Sequence, residues 1–291
     1  MSVVERALKR LQSKSSPQSV RGQRPVAKVS RGLQRASSGA GGETIVGQGR
    51  VVEFSISALS EAGLYSDGNS RLADEYRLIK QPIIKKATTV GEVGNPRGNL
   101  IMVASAFGGE GKTFTSVNLS LSLAREKDLQ VLLVDVDCKN PQLSRLLGVD
   151  EEPGLMDFLK DPSASVESLV MPTNVPSLSV LPIGSRDDHA TEYLGSLRMG
   201  EFCERFATIG QRQLVVFDSS PLLLTPEASI LSDQVGQVLL VVLANMTPRQ
   251  ALMDAIEKID RNVAVGLVLN RVGHGEDVFR YGNYNQYGHE S

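Results

Sequence analysis

The chain has 291 residues and an ordinary apolar content of 41%, which suits one large domain with an appendage or two small domains. Its two cysteines, Cys138 and Cys203, are far apart and form no C-x-x-C motif, which excludes a disulfide framework and a cysteine-based metal site. The longest apolar run, 238–244, is too short to span a bilayer, and the N-terminus has no signal-peptide pattern. We therefore expect a cytoplasmic protein.

Positive charge is concentrated at the N-terminus. The formal net charge is −2, but residues 1–50 contain ten Lys or Arg and only two acids, so this segment is about +8 and the remainder about −10. A basic arm on an acidic body indicates contact with an acidic surface, such as a membrane, a partner protein or a nucleic acid. The arm has no interleaved aromatic residues for base stacking, so we expect no nucleic-acid partner.

Residues 2–14 are predicted to form a short amphipathic helix, which begins with the capping-box spacing of Ser2 and Glu5. Cations surround its apolar face, which consists of Val3, Val4, Ala7, Leu8 and Leu11. Two interpretations stay open: a helix this short frays in isolation, or it docks on a membrane surface or a partner. Residues 15–70 follow as a flexible basic linker and lead-in, because most of this stretch is rich in Ser, Gly, Gln and Arg.

Residues 71–86 are also predicted to be helical and to open the main domain, 71–272. The apolar stripe of this helix consists of Leu72, Tyr76, Ile79 and Ile83. Pro82 is expected to kink or split the helix, because proline lacks an N–H and clashes with the preceding turn. A Gly-, Pro- and Asn-rich break at 91–99 follows.

From residue 100 onward, strand-like apolar runs alternate with helical patterns, of which 113–126 and 248–259 are the clearest. The predicted strands are the Val- and Leu-rich runs 100–104, 131–134, 178–181, 214–217, 238–243 and 265–269. Such runs are typical of strands buried on both faces, so we expect a doubly wound α/β fold with a mainly parallel sheet flanked by helices. The Gly-, Asn- and Tyr-rich stretch 273–291 is expected to be a flexible tail.

The sequence S-A-F-G-G-E-G-K-T at 105–113 lies between a predicted strand and a predicted helix, which is the setting of a phosphate-binding P-loop. Its glycines let backbone N–H groups approach the phosphates, although Ala106 replaces the first glycine of the general pattern. Lys112 can reach the β- and γ-phosphates, and Thr113 offers a hydroxyl to Mg²⁺. The predicted nucleotide-binding residues here are Gly108, Gly109, Glu110, Gly111, Lys112, Thr113 and Phe114.

Acidic residues follow two of the predicted strands. Asp135 and Asp137 come after the run at 131–134, and Asp218 comes after 214–217. The carboxyl ends of parallel strands gather at the ligand-binding edge, so we expect these acids near the P-loop. A carboxylate there can bind Mg²⁺ directly or through water, or accept a proton from a nucleophile. The alternative is that each acid only caps the following turn or helix.

The spacing of these motifs resembles that of the bacterial tyrosine kinases, which are related to the partition and septum-site ATPases. Phe107 stands where the partition ATPases carry a signature lysine in K-G-G-x-G-K-[ST], which favours the kinase branch. The sequence D-V-D-C-K-N-P at 135–141 resembles the kinases' D-x-D-x-R-x-P motif, with Lys139 in place of arginine.

Two further segments extend the resemblance to about residues 70–291. The sequence D-E-Y-R-L-I-K resembles the kinases' E-x-x-R-x-x-R oligomerisation motif, and the expected contacts are Asp74, Arg77 and Lys80. Half of the six tyrosines lie near the C-terminus, where these kinases keep their phosphorylated tyrosines; they are Tyr281, Tyr284 and Tyr287. The chain is most similar to the exosortase-associated tyrosine autokinases of exopolysaccharide gene clusters.

The resemblance implies an ATP- and Mg²⁺-dependent protein-tyrosine autokinase that phosphorylates its own tail and regulates exopolysaccharide synthesis or export. It implies a ring-shaped homo-oligomer, peripheral at the inner membrane, with two kinds of partner: a membrane polysaccharide chain-length (co-polymerase) protein and a protein-tyrosine phosphatase. The alternative is a partition- or septum-type ATPase switch without kinase activity. A third class is an inactive scaffold that binds ATP only to assemble a complex.

The resemblance also implies residue roles. The predicted catalytic residues are Lys112, Asp135, Asp137 and Asp218. The predicted Mg²⁺ ligands are Thr113, Asp135 and Asp218. Lys112 would neutralise the transferring phosphate from an open, hydrated position, and either Asp135 or Asp137 would orient or deprotonate the tyrosine hydroxyl. Asn270 would read the adenine, with a turn or helix cap as the alternative for this side chain.

Overall fold

A computed structural model describes residues 51–54, 71–88, 96–208 and 212–272. The predicted helix at 2–14, most of the lead-in at 15–70 and the tail at 273–291 with its three tyrosines lie outside these ranges. No helix within the described ranges is long and apolar enough to cross a lipid bilayer.

A seven-stranded sheet forms the centre of the domain, with the strand order β3-β4-β2-β5-β1-β6-β7. The strands are β1 (Leu100–Ser105), β2 (Gln130–Asp135), β3 (Met171–Pro172), β4 (Leu178–Leu181), β5 (Gln213–Asp218), β6 (Gln237–Leu243) and β7 (Ala264–Asn270). All neighbouring strands pair in parallel except β3 and β4. The six predicted strands and the mainly parallel sheet are therefore confirmed, and only the two-residue β3 is additional because it is too short to show a pattern.

Helices cover both faces of the sheet, as the doubly wound prediction requires. They are α1 (Arg71–Thr88), α2 (Lys112–Leu123), α3 (Gln142–Leu147), α4 (Leu155–Lys160), α5 (Val166–Leu169), α6 (Ala190–Leu194), α7 (Leu197–Thr208), α8 (Pro226–Ser232) and α9 (Arg249–Glu257). One apolar cluster joins α1 and α2 to the sheet. A second cluster on the opposite face contains the packed rings of Phe158, Phe202, Phe206 and Phe217.

The prediction that every strand is buried on both faces was wrong for β7. Leu267 and Leu269 are 57% and 58% exposed. The strand order explains the difference, because β7 is at the edge of the sheet and pairs only with β6. A Val- and Leu-rich sequence therefore did not distinguish this edge strand from the central strands.

Helix α1 is continuous through Pro82, so the expected split was wrong. Proline removes the donor that would serve the carbonyl group of Leu78, and Leu78 is 76% exposed, so water can satisfy that carbonyl. On the opposite side of the helix, Tyr76 and Ile83 are buried in the apolar cluster. Packing of this face holds the helix together across the proline.

Lys80 does not belong to a solvent-facing charge row on α1, and this part of the predicted oligomer contact was wrong. Its side chain is buried, and Nζ lies 2.8 Å from the Ser122 carbonyl oxygen and 2.8 Å from Oε1 of Glu126. Asp74 and Arg77 are exposed and form an ion pair with each other. The physical reason is helical spacing, since Lys80 is four residues after Tyr76 and shares its inward face.

Candidate active site

The phosphate-binding loop connects β1 to α2, as predicted, and its shape is fixed by its own polar groups. The Ser105 hydroxyl donates to the Phe107 carbonyl at 2.6 Å, and the Phe107 N–H donates to Oε2 of Glu110 at 2.8 Å. Gly109 and Gly111 have φ values of 81° and 105°, which only glycine adopts without strain. The loop is therefore pre-shaped to present its backbone N–H groups to an anion at the start of α2.

Asn270, at the end of β7, braces this loop. Its Nδ2 donates to the Glu110 carbonyl oxygen at 2.8 Å, and its Oδ1 accepts the Arg271 N–H at 2.9 Å. A Cβ atom at Gly111 would lie 2.1 Å from this Nδ2, so a larger residue at this position would displace the Asn270 amide. These contacts tie the end of β7 to the phosphate loop, and the role of Asn270 in reading adenine stays a prediction.

Two residues predicted to bind nucleotide direct their side chains elsewhere. The Glu110 carboxylate holds the Phe107 N–H and accepts a hydrogen bond from the Thr247 hydroxyl. The ring of Phe114 packs toward Tyr76 of α1, with a centroid separation of 6.4 Å. Any contact that these two residues make with a nucleotide would therefore come from the backbone.

Lys112, the first residue of α2, is only 8% exposed, so the expectation of an open, hydrated position was wrong. Burial lowers the pKa of its ammonium group, and three nearby acids act in the opposite direction: Asp218, Asp137 and Glu110. Lys112 nevertheless makes no ion pair within 4.0 Å among the described residues. A buried cation without a close partner is suited to receive an anionic ligand.

Asp218, at the end of β5, is buried beside the start of α2. Its Oδ2 accepts the Thr113 hydroxyl at 2.7 Å, and its Oδ1 accepts the Ser116 hydroxyl at 3.0 Å. Burial raises its pKa to about 6, against the lowering effect of the Thr113 hydrogen bond and the Lys112 charge. The paired oxygens of Thr113 and Asp218 are the hard ligands that suit Mg²⁺, so the residues present fit the predicted metal.

Asp135, at the end of β2, is fully buried and saturated by protein donors. Its Oδ2 accepts the Ser144 N–H at 2.8 Å and the Ser144 hydroxyl at 2.7 Å, and its Oδ1 accepts the Asp137 N–H at 3.1 Å. Burial raises its pKa to about 8, and the charge of Asp218 adds to this. These contacts fix the first turn of α3, which is the capping role that the sequence left open.

Asp137 is only partly buried and lies in the loop between β2 and α3. Its Oδ1 accepts the Asn140 N–H at 3.0 Å and the Ser220 hydroxyl at 3.0 Å. Burial raises its pKa, and the Asn140 hydrogen bond and the Lys112 charge act against this rise. Of the two carboxylates after β2, Asp137 is the one with access to a ligand.

Sequence reasoning missed three serines that orient the acids. Ser116 lies one turn after Thr113 on α2, so its i,i+3 spacing could have predicted that the two hydroxyls share one side of the helix. Ser220 follows Asp218 at the end of β5, and this position at the ligand edge was also visible. Ser144 had no signal, because its contact with Asp135 depends on how the loop folds back.

Comparison with known proteins agrees with this geometry. Residues 101–282 match the family model described as the CobQ/CobB/MinD/ParA nucleotide binding domain. EpsB of Ralstonia solanacearum is 33% identical over 202 residues, which cover 66% of this chain and 26% of EpsB. This chain therefore spans about a quarter of the length of that relative.

Two further relatives are tyrosine kinases by name. The tyrosine-protein kinase CpsD of Streptococcus agalactiae is 29% identical over 192 residues, which cover 65% of this chain and 81% of CpsD. The solved BceF tyrosine kinase domain superimposes with a TM-score of 0.58 at 26% identity, covering 77% of this chain and 93% of that domain. The resemblance to the bacterial tyrosine kinases is thereby confirmed.

Proposed function

Since the chain belongs to the CobQ/CobB/MinD/ParA family of nucleotide-binding domains, we propose that it is an ATP- and Mg²⁺-dependent protein-tyrosine kinase that phosphorylates its own C-terminal tyrosines. The observation that carries this proposal is the phosphate site itself. Lys112 is buried there without a close ion pair, and Asp218 and a partly accessible Asp137 are both close enough to influence its pKa. The similarity to CpsD and to the BceF kinase domain supports phosphoryl transfer over simple nucleotide binding.

In the proposed reaction, a tyrosine oxygen forms a bond to the γ-phosphorus of ATP while the bond to the β,γ-bridging oxygen of ADP breaks. Lys112 and the loop N–H groups stabilise the charge on the transferring group. Thr113 and Asp218 would hold Mg²⁺, which when bound would supply Lewis-acid charge to the phosphates. Asp137 receives the tyrosine proton, and the Ser220 hydroxyl orients that carboxylate.

The proposed acceptors are Tyr281, Tyr284 and Tyr287, which follow β7 in the sequence. A phosphate on each would add about two negative charges, and the chain before the tail is already acidic outside its first 50 residues. Repulsion then favours release of a modified tail. Transfer would occur between neighbouring subunits of a homo-oligomer, in which Asp74 and Arg77 are the exposed contact residues on α1.

The proposed setting is the cytoplasmic face of the inner membrane, where the basic segment 1–50 can meet an anionic surface. A membrane polysaccharide co-polymerase would be the activating partner, a protein-tyrosine phosphatase would reverse the modification, and exopolysaccharide synthesis or export would be the regulated process. The likeness to CpsD and BceF supports a tyrosine kinase here, and the partners extend that proposal.

The test is to incubate purified full-length protein with ATP and Mg²⁺ and to locate phosphate by mass spectrometry. We expect phosphotyrosine at the three tail positions, loss of the signal with EDTA, and loss in a chain with all three tyrosines changed to phenylalanine. ATP hydrolysis without phosphotyrosine, also in the presence of the membrane partner, would contradict the kinase and support a partition-type switch.

A further inference from the structure

A buried carboxylate lies outside the set of acids used above. Glu227, in the first turn of α8, is 3% exposed. Its Oε1 accepts the Thr191 hydroxyl at 2.9 Å and lies 3.5 Å from Nζ of Lys139. Its Oε2 has no hydrogen-bond partner among the described residues. A buried carboxylate oxygen without a donor is costly, so a donor that reached Oε2 would stabilise the folded protein.

The cation opposite Glu227 belongs to the loop that carries Asp137. Lys139 is 60% exposed along its side chain, and its ammonium group reaches only one oxygen of the carboxylate. The Ser220 hydroxyl makes a second contact with this loop. It lies between β5 and α8 and donates to Asp137. The 136–141 loop is thus held at two points: Asp137 contacts Ser220 before α8, and Lys139 contacts Glu227 in the first turn of α8.

The free oxygen has a simple chemical explanation. An ammonium group is a point donor, whereas a guanidinium group is a planar fork that can serve both oxygens of one carboxylate. With a lysine at position 139, Oε1 is paired and Oε2 is left without a donor. A bidentate donor could therefore pair with both oxygens of the Glu227 carboxylate, whereas Lys139 pairs with only one of them.

We propose that Glu227 is a positioning residue that anchors the Asp137 loop through Lys139, and that an arginine at position 139 would complete the anchor. This inference rests on the proposed function for its catalytic consequence, because Asp137 acts on the acceptor hydroxyl. The contact itself depends only on the geometry. Its loss lets the loop move relative to the phosphate loop, which lowers turnover more than nucleotide affinity.

The first arm of the experiment measures the melting temperature of the full-length protein without nucleotide. Lys139→Arg should raise Tm by about 3 °C, and Lys139→Met and Glu227→Gln should each lower it. The double variant should have the same Tm as the less stable of the two single variants, since both changes remove the same contact. The matched control is Lys160→Arg, at a lysine paired with Asp187 by a 2.8 Å contact, which should leave Tm unchanged.

The second arm measures phosphotyrosine formation and the dissociation constant of a fluorescent ADP analogue. Lys139→Met and Glu227→Gln should each lower kcat about tenfold with nucleotide affinity unchanged within about twofold, and Lys139→Arg should keep or exceed wild-type kcat. An arginine variant as slow as the methionine variant, or single effects that multiply in the double variant, would overturn the positioning role.

The two proposals fail in different ways. If the wild-type protein forms no phosphotyrosine, the kinase proposal fails, and the same variants are compared by their rate of ATP hydrolysis. The effects of the Lys139 and Glu227 variants on Tm could be non-additive while neither variant changes turnover or ATP hydrolysis. That result would show a purely structural contact and would overturn the positioning role. Additive effects on Tm would overturn the contact itself.

Discussion

Two buried lysines lie in neighbouring helices, and their surroundings differ. Lys80 on α1 is 5% exposed and has a carbonyl oxygen and a carboxylate oxygen, each at 2.8 Å. Lys112 at the start of α2 is 8% exposed, and no carboxylate in the described part of the chain pairs with it within 4.0 Å. Similar burial therefore accompanies a satisfied cation in one region and an available cation in the other.

The comparison separates structural charge from functional charge. A buried charge contributes to the fold when protein groups complete its hydrogen bonds, as they do for Lys80. It is suited to a reaction when nearby acids oppose the lowering of its pKa by burial but leave its donors free, as with Lys112. The Asp135 and Asp137 pair shows the same contrast, since Asp135 is saturated by Ser144 and the Asp137 N–H.

The largest effect is expected for Lys112→Met. Phosphoryl transfer should fall by about 10³-fold, because the variant removes the cation that faces the charge of the transition state. Stability should change little, since the buried ammonium already lacks a close ion pair. Single-turnover kinetics and thermal melting check both parts, and a variant that transfers phosphate at a comparable rate would remove the assigned role.

The acids after β2 give the next largest contrast. Asp137→Asn should lower kcat about 10²-fold with nucleotide affinity preserved, because the proton acceptor is lost. Asp135→Asn should act mainly on stability, since its carboxylate holds the first turn of α3. Both variants are compared by kcat, nucleotide dissociation constant and Tm. Equal losses of kcat for the two variants, with equal Tm, would contradict the assignment of Asp137 to the reaction and of Asp135 to the fold.

Lys80→Met should show the reverse of the Lys112 result. We expect a loss of about 2 kcal/mol in the free energy of unfolding, because the buried Ser122 carbonyl and Glu126 lose their partner. The turnover of the remaining folded protein should stay near wild type. Urea unfolding measures the first quantity. A stable but slow Lys80→Met protein would place this lysine in the reaction.

Much of the fold was predictable because its signals are local. The central strands are continuous Val and Leu runs, and the glycines and Lys112 of the phosphate loop appear at fixed spacing after β1. The inward position of Lys80 was also visible, since it continues the stripe of Tyr76 and Ile83, but its charge favoured a surface interpretation. Helix α7 was missed although its buried residues have helical spacing; they are Met199, Phe202, Cys203 and Phe206.

The remaining errors concern contacts between distant parts of the chain. Nothing near Asp135 in sequence shows that Ser144 will saturate it, and nothing near Gly111 shows that Asn270 will lie against it. The exposed edge position of β7 depends on strand order, which the apolar pattern does not encode. Sequence therefore predicted which residues gather at the site, but not which of them are already occupied by protein partners.

The smallest predicted effect concerns the exposed face of α1. Arg77→Ala should weaken self-association of unphosphorylated protein by a few-fold, because it removes one of the two exposed charged residues proposed as the contact on α1. Multi-angle light scattering over a concentration series measures this. The comparison variant is Arg71→Ala, at the start of the same helix. An equal mass distribution for wild type and Arg77→Ala would place the oligomer contact elsewhere.

The central claim is that the phosphate site with its available lysine transfers phosphate to a tail tyrosine of a neighbouring subunit. The direct test mixes a Lys112→Met chain with a chain in which Tyr281, Tyr284 and Tyr287 are phenylalanine, and adds ATP and Mg²⁺. Neither chain can modify itself at these positions, so phosphotyrosine on the Lys112→Met tail is the predicted result. A mixture without phosphotyrosine, beside a wild-type sample that gains it, would contradict transfer between subunits, and absence from both would contradict the kinase.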